Sequence, residues 1–597
     1  MQKLQEPYNV LADRLVCWSF CAALLVLVGL MILGGHTQGP DDIMRWVAVV
    51  DLQNGQGWFD PYQHRLGPDE GTLMHWSRLV DVPITAIYWV SNAFLPAETA
   101  LTLTALIWPS VLAGLTLWAF AVTGGVLGNR AGAISALVMG VFALQNSGKF
   151  DQFSFDHHGL QVLLFVSAAM FFVLRKDRLH AGLWIGFCIA LSVSIGAESL
   201  LQLGIIGVFV AVDWLLSGPA ARRRTIEFSI AIVLTLLMAV FVTTSRDSFY
   251  YPGCDALTLS VALPVGLAAA GLLPAAIFAS DRSIRVRTVC VLVLGGTVVA
   301  AVQTFAPHCL DNPIHNMPPD VREFWLSQIT EAQNVTLVIQ RHAGETIALI
   351  CIAVFSILAA MFFAYRTEAK IEYLLFLFLM VASFGLFLLQ SRMMTFLTMS
   401  LVAVQAQVLR VMYQKYRVEN QRIFGVLMIL FVALVAPNTG ASIEKRYKAL
   451  TAPKSEKAAE TTPEPRHLIS CNAKHSFEPL LSLEPGMVVI GFDYASYLLR
   501  HTNHSALAGN YHRNEAGLLA QIDLFRSNVS DISPRLAELG VDYIAICKFN
   551  PRSDYWSSVS DGIGLPAALI SGELPEFLEE IEGDEDAAFH IYRVKKG

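Results

Sequence analysis

The chain has 597 residues, of which 54% are hydrophobic and 15% charged, with a formal net charge of -7. Mean hydropathy is +0.51. These values exclude an ordinary soluble globular protein, in which about 25% of residues are charged, and a weak negative charge without a basic stripe excludes a nucleic-acid partner.

Apolar runs of about 18 to 22 residues recur along the chain, the length needed to cross a hydrocarbon core of about 30 Å. The first, 15–33, follows Lys3 and Arg14. It is longer than the apolar core of a cleaved signal peptide, about 7–15 residues, and reads as an uncleaved anchor with a cytoplasmic N-terminus. Further runs lie near 98–122, 130–147, 159–175, 180–196, 198–216, 226–245, 259–279, 288–304, 345–364, 371–389, 395–412 and 423–437. The expected fold class is a polytopic α-helical membrane protein of about 13 transmembrane helices over residues 1–437, followed by a soluble α/β domain.

Basic clusters set the orientation. Arg175/Lys176/Arg178, Arg222/Arg223/Arg224, Arg282/Arg285/Arg287, Arg366/Lys370 and Arg410/Lys415/Arg417/Arg422 fall at loops of one parity. The excess of Lys and Arg on cytoplasmic loops places these inside. Segments 35–82, 146–158, 245–258, 305–344 and everything after about 438 then face outward. In a bacterial inner (plasma) membrane the C-terminal domain is periplasmic. Residues 438–466 read as a linker, polar and rich in Pro, Ala, Lys and Glu from 448 on. Strand-like runs at 487–491, 541–547 and 590–594, with a helical stretch at 514–526, make 467–597 a small α/β domain without internal repeats.

Cys17, Cys21, Cys188, Cys290 and Cys351 lie within spans as apolar filler. Cys254, Cys309, Cys471 and Cys547 face the oxidising side, which leaves a Cys254–Cys309 bridge open.

The first outward loop is dense in ionisable and aromatic groups. Asp41 and Asp42 open a helix, where its dipole favours acids, and Arg45 follows on the same face as an ion-pair partner at the surface. Trp58, Phe59, Asp60, His64, Arg65, His75, Trp76 and Arg78 follow within about twenty residues of one another, a density that suits a phosphate headgroup at a membrane surface. In the second loop, Asp151, Asp156, His157 and His158 flank two span ends. A carboxylate beside imidazoles suits a divalent cation, against the alternative of a wet polar loop. Loop 305–344 is irregular around Pro313, Pro318 and Pro319 and helical after Val321, with Glu331 in SQITEAQNV. Arg392 lies between two apolar spans at the outer boundary, where it either meets an anion or snorkels.

In this order the motifs resemble those of the GT-C superfamily of membrane glycosyltransferases, above all the catalytic subunit of oligosaccharyltransferase. DDIMR followed by NGQGWFD is similar to that family's first external loop, and SFDHHGLQ to its second acidic motif, with His158 where an acid is usual. SQITEAQNV is similar to the loop whose glutamate meets acceptor and metal, and SRMMTFL to the segment whose arginine holds the donor phosphate. The resemblance implies inverting transfer of a hexosyl or oligosaccharyl group from a polyprenyl-linked sugar donor to an acceptor glycan, lipid or protein. It implies catalytic roles for Asp41 or Asp42, Arg45 and Glu331, and a metal site of Asp156, His158 and Glu331 for Mg or Mn. Arg392, Asp60, His75 and Trp76 are the expected substrate-binding residues, with membrane lipids as further partners. The family's Trp-Trp-Asp acceptor motif has no counterpart after residue 438, so the protein sequon is not implied as acceptor.

Two rival readings compete. A transporter or flippase places charges at mid-membrane on broken helices, whereas Glu198 and Asp213 lie near span ends. A non-catalytic scaffold would use His501, His504 and His512 as a binding surface.

Overall fold

The structure, a computed structural model, describes residues 8–34, 39–68, 70–176, 178–310, 317–437, 439–451, 471–548, 564–581 and 587–596. Pro313 and the part of the expected linker from 452 to 466 lie outside the described residues. The chain forms two compact units that do not follow chain order. The first takes residues 1–37, 76–312 and 330–452; the second takes 38–75, 313–329 and 453–597. The C-terminal α/β domain thus includes parts of two loops that precede it by hundreds of residues.

α1 (Arg14–Leu33) belongs to the first unit and α2 (Pro40–Gln53) to the second. The first unit continues with α3 (Arg78–Asn92), α4 (Ala97–Ser147), α5 (His158–Val173), α6 (Ala181–Ile195), α7 (Leu200–Ser217) and α8 (Arg222–Thr243). After the short α9 (Arg246–Tyr250) come α10 (Leu259–Ala279), α11 (Ile284–Phe305) and α12 (Val335–Arg341). The unit closes with α13 (Ala343–Arg366), α14 (Lys370–Leu389), α15 (Met394–Arg417), α16 (Arg422–Val435) and α17 (Thr439–Thr451). Helix is what apolar stretches adopt in lipid, because each peptide group must be hydrogen-bonded within its own segment. The side chains agree. Leu25, Leu33, Phe241, Leu292 and Tyr365 are all exposed, an apolar surface for acyl chains rather than water.

Among the described residues, eight stretches are long and apolar enough to cross a bilayer, or nine if α16 and α17, bent by 86°, form one. α5 and α6, at 16 and 15 residues, are shorter than the roughly 20 a crossing takes. α4 is not straight. Gly128 and Asn129 leave helical geometry, Asn129 with φ +57°, and Gly140 lies against Leu117 and Phe120. The two halves therefore fold back on each other. A Cβ at Gly124 would sit 2.4 Å from the Gly132 carbonyl oxygen, so only glycine permits this approach.

One end of the bundle gathers the basic loops. Arg222 pairs with Asp281 at 3.1 Å, Arg224 with Asp213 at 2.6 Å, and Arg175 with both Asp213 at 3.1 Å and Glu372 at 2.7 Å. Elsewhere in the unit, Cys254 and Cys309 form a disulfide that ties the 250s loop to the end of α11. Residues 439–451, inside the stretch expected to be linker, are helical as α17, and Glu444 accepts a 2.7 Å hydrogen bond from the Gly344 N–H.

The second unit is a five-stranded mixed sheet. β1 (Tyr62–Gln63) and β2 (Thr72–Leu73) make a small separate hairpin. β3 (Met487–Ile490), β4 (Ser505–Ala506), β5 (Val541–Cys547), β6 (Leu578–Ile581) and β7 (Phe589–Val594) assemble in the order β4-β3-β5-β7-β6. β3 runs parallel to β4 and β5, while β7 is antiparallel to β5 and β6. Three of these strands are the expected ones, because Val/Ile-rich runs suit a buried pleat. Val489, Ile544, Leu507 and Leu518 form its core, and Val321, Phe324 and Trp325 from the long loop pack into it. Leu66 bridges Ala506 in parallel, and Arg65 donates to the carbonyls of Leu499 at 2.8 Å and Thr502 at 2.9 Å. The first outward loop is thus part of this domain's frame. A second disulfide, Cys471–Cys547, closes the domain.

Candidate functional site

The candidate centre of the first unit is built by the loop before α5. Phe150 and Phe155 are buried at 2% and 1% exposure, and the Phe153 N–H reaches the Ala105 carbonyl at 3.0 Å. These anchors hold Asp156 and His157 out of water, so the segment is not the wet polar loop that was one expectation. Asp156 Oδ1 lies 2.6 Å from His157 Nδ1, and Oδ2 lies 3.3 Å from His158 Nε2. On its far side His157 Nε2 meets Glu198 Oε1 at 3.2 Å. Gln161, one turn into α5, donates to Glu198 Oε2 at 2.9 Å and to the Gly196 carbonyl at 3.1 Å. Asp156, His157 and His158 bring ligand atoms within 4.8 Å of one another.

Electrostatics follow from that arrangement. Burial alone would push His157 down, but the carboxylates of Asp156 and Glu198 outweigh it and raise its pKa to about 10. Burial would push Glu198 up, yet His157 holds it well below the usual range. Asp156 is likewise held low against its burial, by His157 and then His158. His157 is therefore held between two carboxylates that favour its charged form.

Glu331 and Arg392 come to the same cavity. Ser391 donates from its N–H to the Gln333 carbonyl at 2.9 Å and from its hydroxyl to the Thr330 carbonyl at 2.9 Å. Those two bonds fix the turn carrying Arg392 against the turn carrying Glu331. Lys149 Nζ stands 3.6 Å from Glu331 Oε1. Lys149 chiefly, with His158 and Arg392 assisting against partial burial, draws Glu331 below its ordinary range. Lys149, His158, Glu198, Glu331 and Arg392 all line one cavity of about 400 Å³. A second cavity of about 580 Å³ shares Ser147, Gly148 and Met394 with it and is lined largely by apolar side chains such as Leu27, Met31 and Leu144. The two also share Glu345, and Asp151 lines the larger one, so both cavities carry charged groups.

The expected residues of the first loop lie in the second unit, except Trp76 and Arg78, which belong to the first. Asp41 and Asp42 occupy the first turn of α2, and Asp42 accepts from the Gly39 N–H at 3.3 Å, a helix-capping contact. Arg45 departs from the surface ion pair expected: it is 1% exposed, within the domain interior. The helix packs against Ala495–His501, and the charges of Asp42 and Asp493, after burial, help raise Tyr497 to about 12. Asp60 spends its carboxylate locally, on His64 Nε2 at 2.7 Å and the Tyr62 N–H at 3.0 Å. His75 and His512 face each other with ring centroids 4.7 Å apart.

Within the first unit His158, Glu331 and Arg392 line one cavity and Asp156 lies 3.3 Å from His158, while Glu331 is not in the group of ligand atoms that Asp156 forms with His157 and His158. Sequence reasoning assigned no site role to Glu198 or Lys149, and named His157 only among the imidazoles of the second loop. The signal for Glu198 was present: an acid at a span end in an apolar setting keeps its charge only beside a partner.

No family model matches the chain, and no curated protein matches it. Solved structures do. The apo oligosaccharyltransferase of Archaeoglobus fulgidus superposes with a TM-score of 0.65 at 16% identity, over 96% of this chain and 73% of that one. The same archaeal enzyme in complex with an inhibitory peptide and a dolichol-phosphate gives 0.63 at 15% identity, over 98% and 74%. Its complex with Zn and sulfate gives 0.59 at 16% identity, over 97% and 73%. The chain therefore has the fold of this archaeal oligosaccharyltransferase across nearly its whole length.

Proposed function

We propose that this chain is an integral membrane glycosyltransferase. It moves a sugar or oligosaccharide, with inversion, from a polyprenyl-(pyro)phosphate carrier to an acceptor on the outer face of a bacterial inner membrane. The observation that carries this reading is the cavity that Lys149, Glu331 and Arg392 line together with His158 and Glu198, beside Asp156. A second cavity shares Ser147, Gly148, Glu345 and Met394 with it and also carries Leu27, Met31 and Leu144. A phosphate on a prenyl tail has the same two parts, one charged and one apolar. The fold supports the same reading, since the archaeal enzyme of that fold has been captured with a dolichol-phosphate and with an acceptor peptide.

The donor set fits a divalent cation. Asp156 and His158 converge at 3.3 Å, and oxygen with one imidazole suits Mg or Mn. Zn occupies the archaeal enzyme in one structure. Bound there, the cation would neutralise charge that builds on the departing phosphate. The chain's own groups supply the rest. Arg392 and Lys149 hold the phosphate oxygens, which gain charge as the anomeric bond breaks, and stabilising such developing charge usually contributes most to the rate of a group transfer. Glu198 and His157 keep Asp156 ionised and aimed. From the motif resemblance we assign Asp41 or Asp42 as the carboxylate that orients the acceptor, and within the first unit Glu331 lines the charged cavity. The acceptor itself is a glycan, lipid or protein.

The test is transfer from a radiolabelled polyprenyl-linked sugar extract by membranes containing the full chain, with and without EDTA. Asp156→Ala and Arg392→Ala are run beside it. Metal-dependent transfer, lost in both variants, is the expected outcome. Folded protein without turnover across several donor extracts would refute the assignment and favour transport or scaffolding.

A further inference from the structure

Three helices of the first unit share an unusual property. α5, α7 and α14 each carry a residue of the candidate centre at one end: His158 opens α5, Glu198 precedes α7, and Arg392 follows α14. Each also ends, about 20–25 Å away at 1.5 Å per residue, in the same buried ion cluster. Arg175, just past α5, is 1% exposed and reaches Asp213 of α7 at 3.1 Å and Glu372 of α14 at 2.7 Å. It also donates to the Phe172 carbonyl at 2.9 Å, which fixes the guanidinium to its own helix end. Between the two ends the helices are joined by Phe172–Phe209 at 6.0 Å and Phe209–Phe378 at 5.7 Å, and by the Gln202 amide donating to Ser383 at 3.3 Å.

We propose that Arg175, with Glu372, is a remote positioning element for the cation and phosphate site. It sets the axial register of α5, α7 and α14, and thereby the spacing of Asp156, His158, Glu198 and Arg392. The proposal rests on the reading of that site given above. Two physical arguments support it. Apolar helix faces can slide past one another at little cost, whereas a buried guanidinium hydrogen-bonded to Glu372 on one helix and to the Phe172 carbonyl on another, with the Asp213 charge 3.1 Å away on a third, tolerates little sliding. A buried ion cluster is also a poor device for stability alone, because desolvation offsets most of its attraction, and register is the best-attested use of such groups.

The test compares Mn2+ affinity, read by electron paramagnetic resonance on the full chain in detergent at 20 °C, in wild type and in the paired variant Arg175→Met/Glu372→Leu. The pair removes both charges together and leaves Asp213 with Arg224 at 2.6 Å, so the fold keeps its balance. Its unfolding midpoint should stay within a few degrees of wild type while the Mn2+ dissociation constant rises about tenfold or more, the scale seen when groups that orient metal ligands are lost. Arg175→Lys keeps the charge without the fork and should lose about threefold. The pair Arg223→Met/Glu227→Leu, whose arginine is exposed and whose Glu227 pairs with Arg223 and His180, away from Arg175, serves as control and should leave Mn2+ affinity unchanged. Mn2+ affinity in the paired variant within twofold of wild type overturns the positioning role. A wild-type protein with no Mn2+ affinity overturns the cation centre itself and this inference with it.

Discussion

Arg392 offers the sharpest quantitative test of the phosphate site. It stands on the turn Ser391–Met393, pinned by the two Ser391 hydrogen bonds, and lines the cavity with Lys149 and Glu331. A guanidinium about 4 Å from a phosphate charge gains about 4 kcal/mol at an effective dielectric near 20. Exchange with water reduces a charged hydrogen bond to a net of about 1.5–3 kcal/mol. Arg392→Ala also leaves Lys149, already committed to Glu331 at 3.6 Å, as the remaining cation on that side. A loss of about 2–3 kcal/mol follows, or about 30- to 150-fold weaker binding of a polyprenyl monophosphate. Arg392→Lys keeps a point charge but cannot engage two oxygens, and should cost about 1 kcal/mol, roughly fivefold. Binding is measured by calorimetry on the full chain in nanodiscs, at 50 and 300 mM salt, and wild-type affinity should fall as salt rises. If Arg392→Ala binds within twofold of wild type while Lys149→Ala abolishes binding, the arginine snorkels and the clamp is misassigned.

Other outcomes follow from single features. Gly124→Val puts a Cβ about 1 Å inside ordinary contact with the Gly132 carbonyl, and should cost about 1–3 kcal/mol as overpacking. Gly266→Ala, with nothing within 4 Å, should leave the unfolding midpoint unchanged or raised, and equal midpoints for the two variants would contradict the hairpin. His501 has its pKa lowered to about 4 by burial and by Arg500 and Lys474. A histidine whose folded pKa lies below its unfolded value contributes stability in full above about pH 6.5 and loses it as pH falls toward 4. Because the ring is partly exposed, the loss should be about 1 kcal/mol, and denaturant unfolding of full-length His501→Gln should lack that slope. Cysteines 471 and 547 are 76 residues apart, for which loop-closure entropy gives about 4–5 kcal/mol. Reduction should therefore render the 471–597 region of the full chain protease-sensitive, and unchanged digestion would speak against the bridge.

Much of the fold was legible because two periodicities dominate the chain. Apolar runs long enough for a bilayer coincide with helices, and the Val/Ile-rich runs at 487–490 and 541–547 became adjacent strands. The pairings that make the centre were not legible. Glu198 is 41 residues from His157, and nothing local links them; only the close packing of α5, α6 and α7 brings the carboxylate to Nε2. The same holds for Leu66 and Ala506, 440 positions apart, whose bridge makes an external loop part of the soluble domain. The alternative reading of Arg45, a surface ion-pair partner, fails for a related reason. A charge beside two acids reads as a surface pair, until tertiary packing covers that face of α2.

Charge and redox chemistry meet in the proposed orientation. Arg175, Arg222 and Arg224 cluster with Asp213, Asp281 and Glu372 at one end of the bundle, and basic clusters of this kind remain on the cytoplasmic side. Cys254 and Cys309 belong to the other set of loops: the Asp255 carbonyl accepts from the Ala197 N–H at 3.2 Å, next to Glu198 of the candidate centre. Disulfides persist where the medium is oxidising and are rare where thiols are kept reduced. The reverse orientation would expose that bridge to a reducing compartment and send the arginine clusters across the membrane, two independent costs. The proposed orientation avoids both, and in it the cavity of Lys149, Glu331 and Arg392 faces the oxidising side with the Cys254–Cys309 loops.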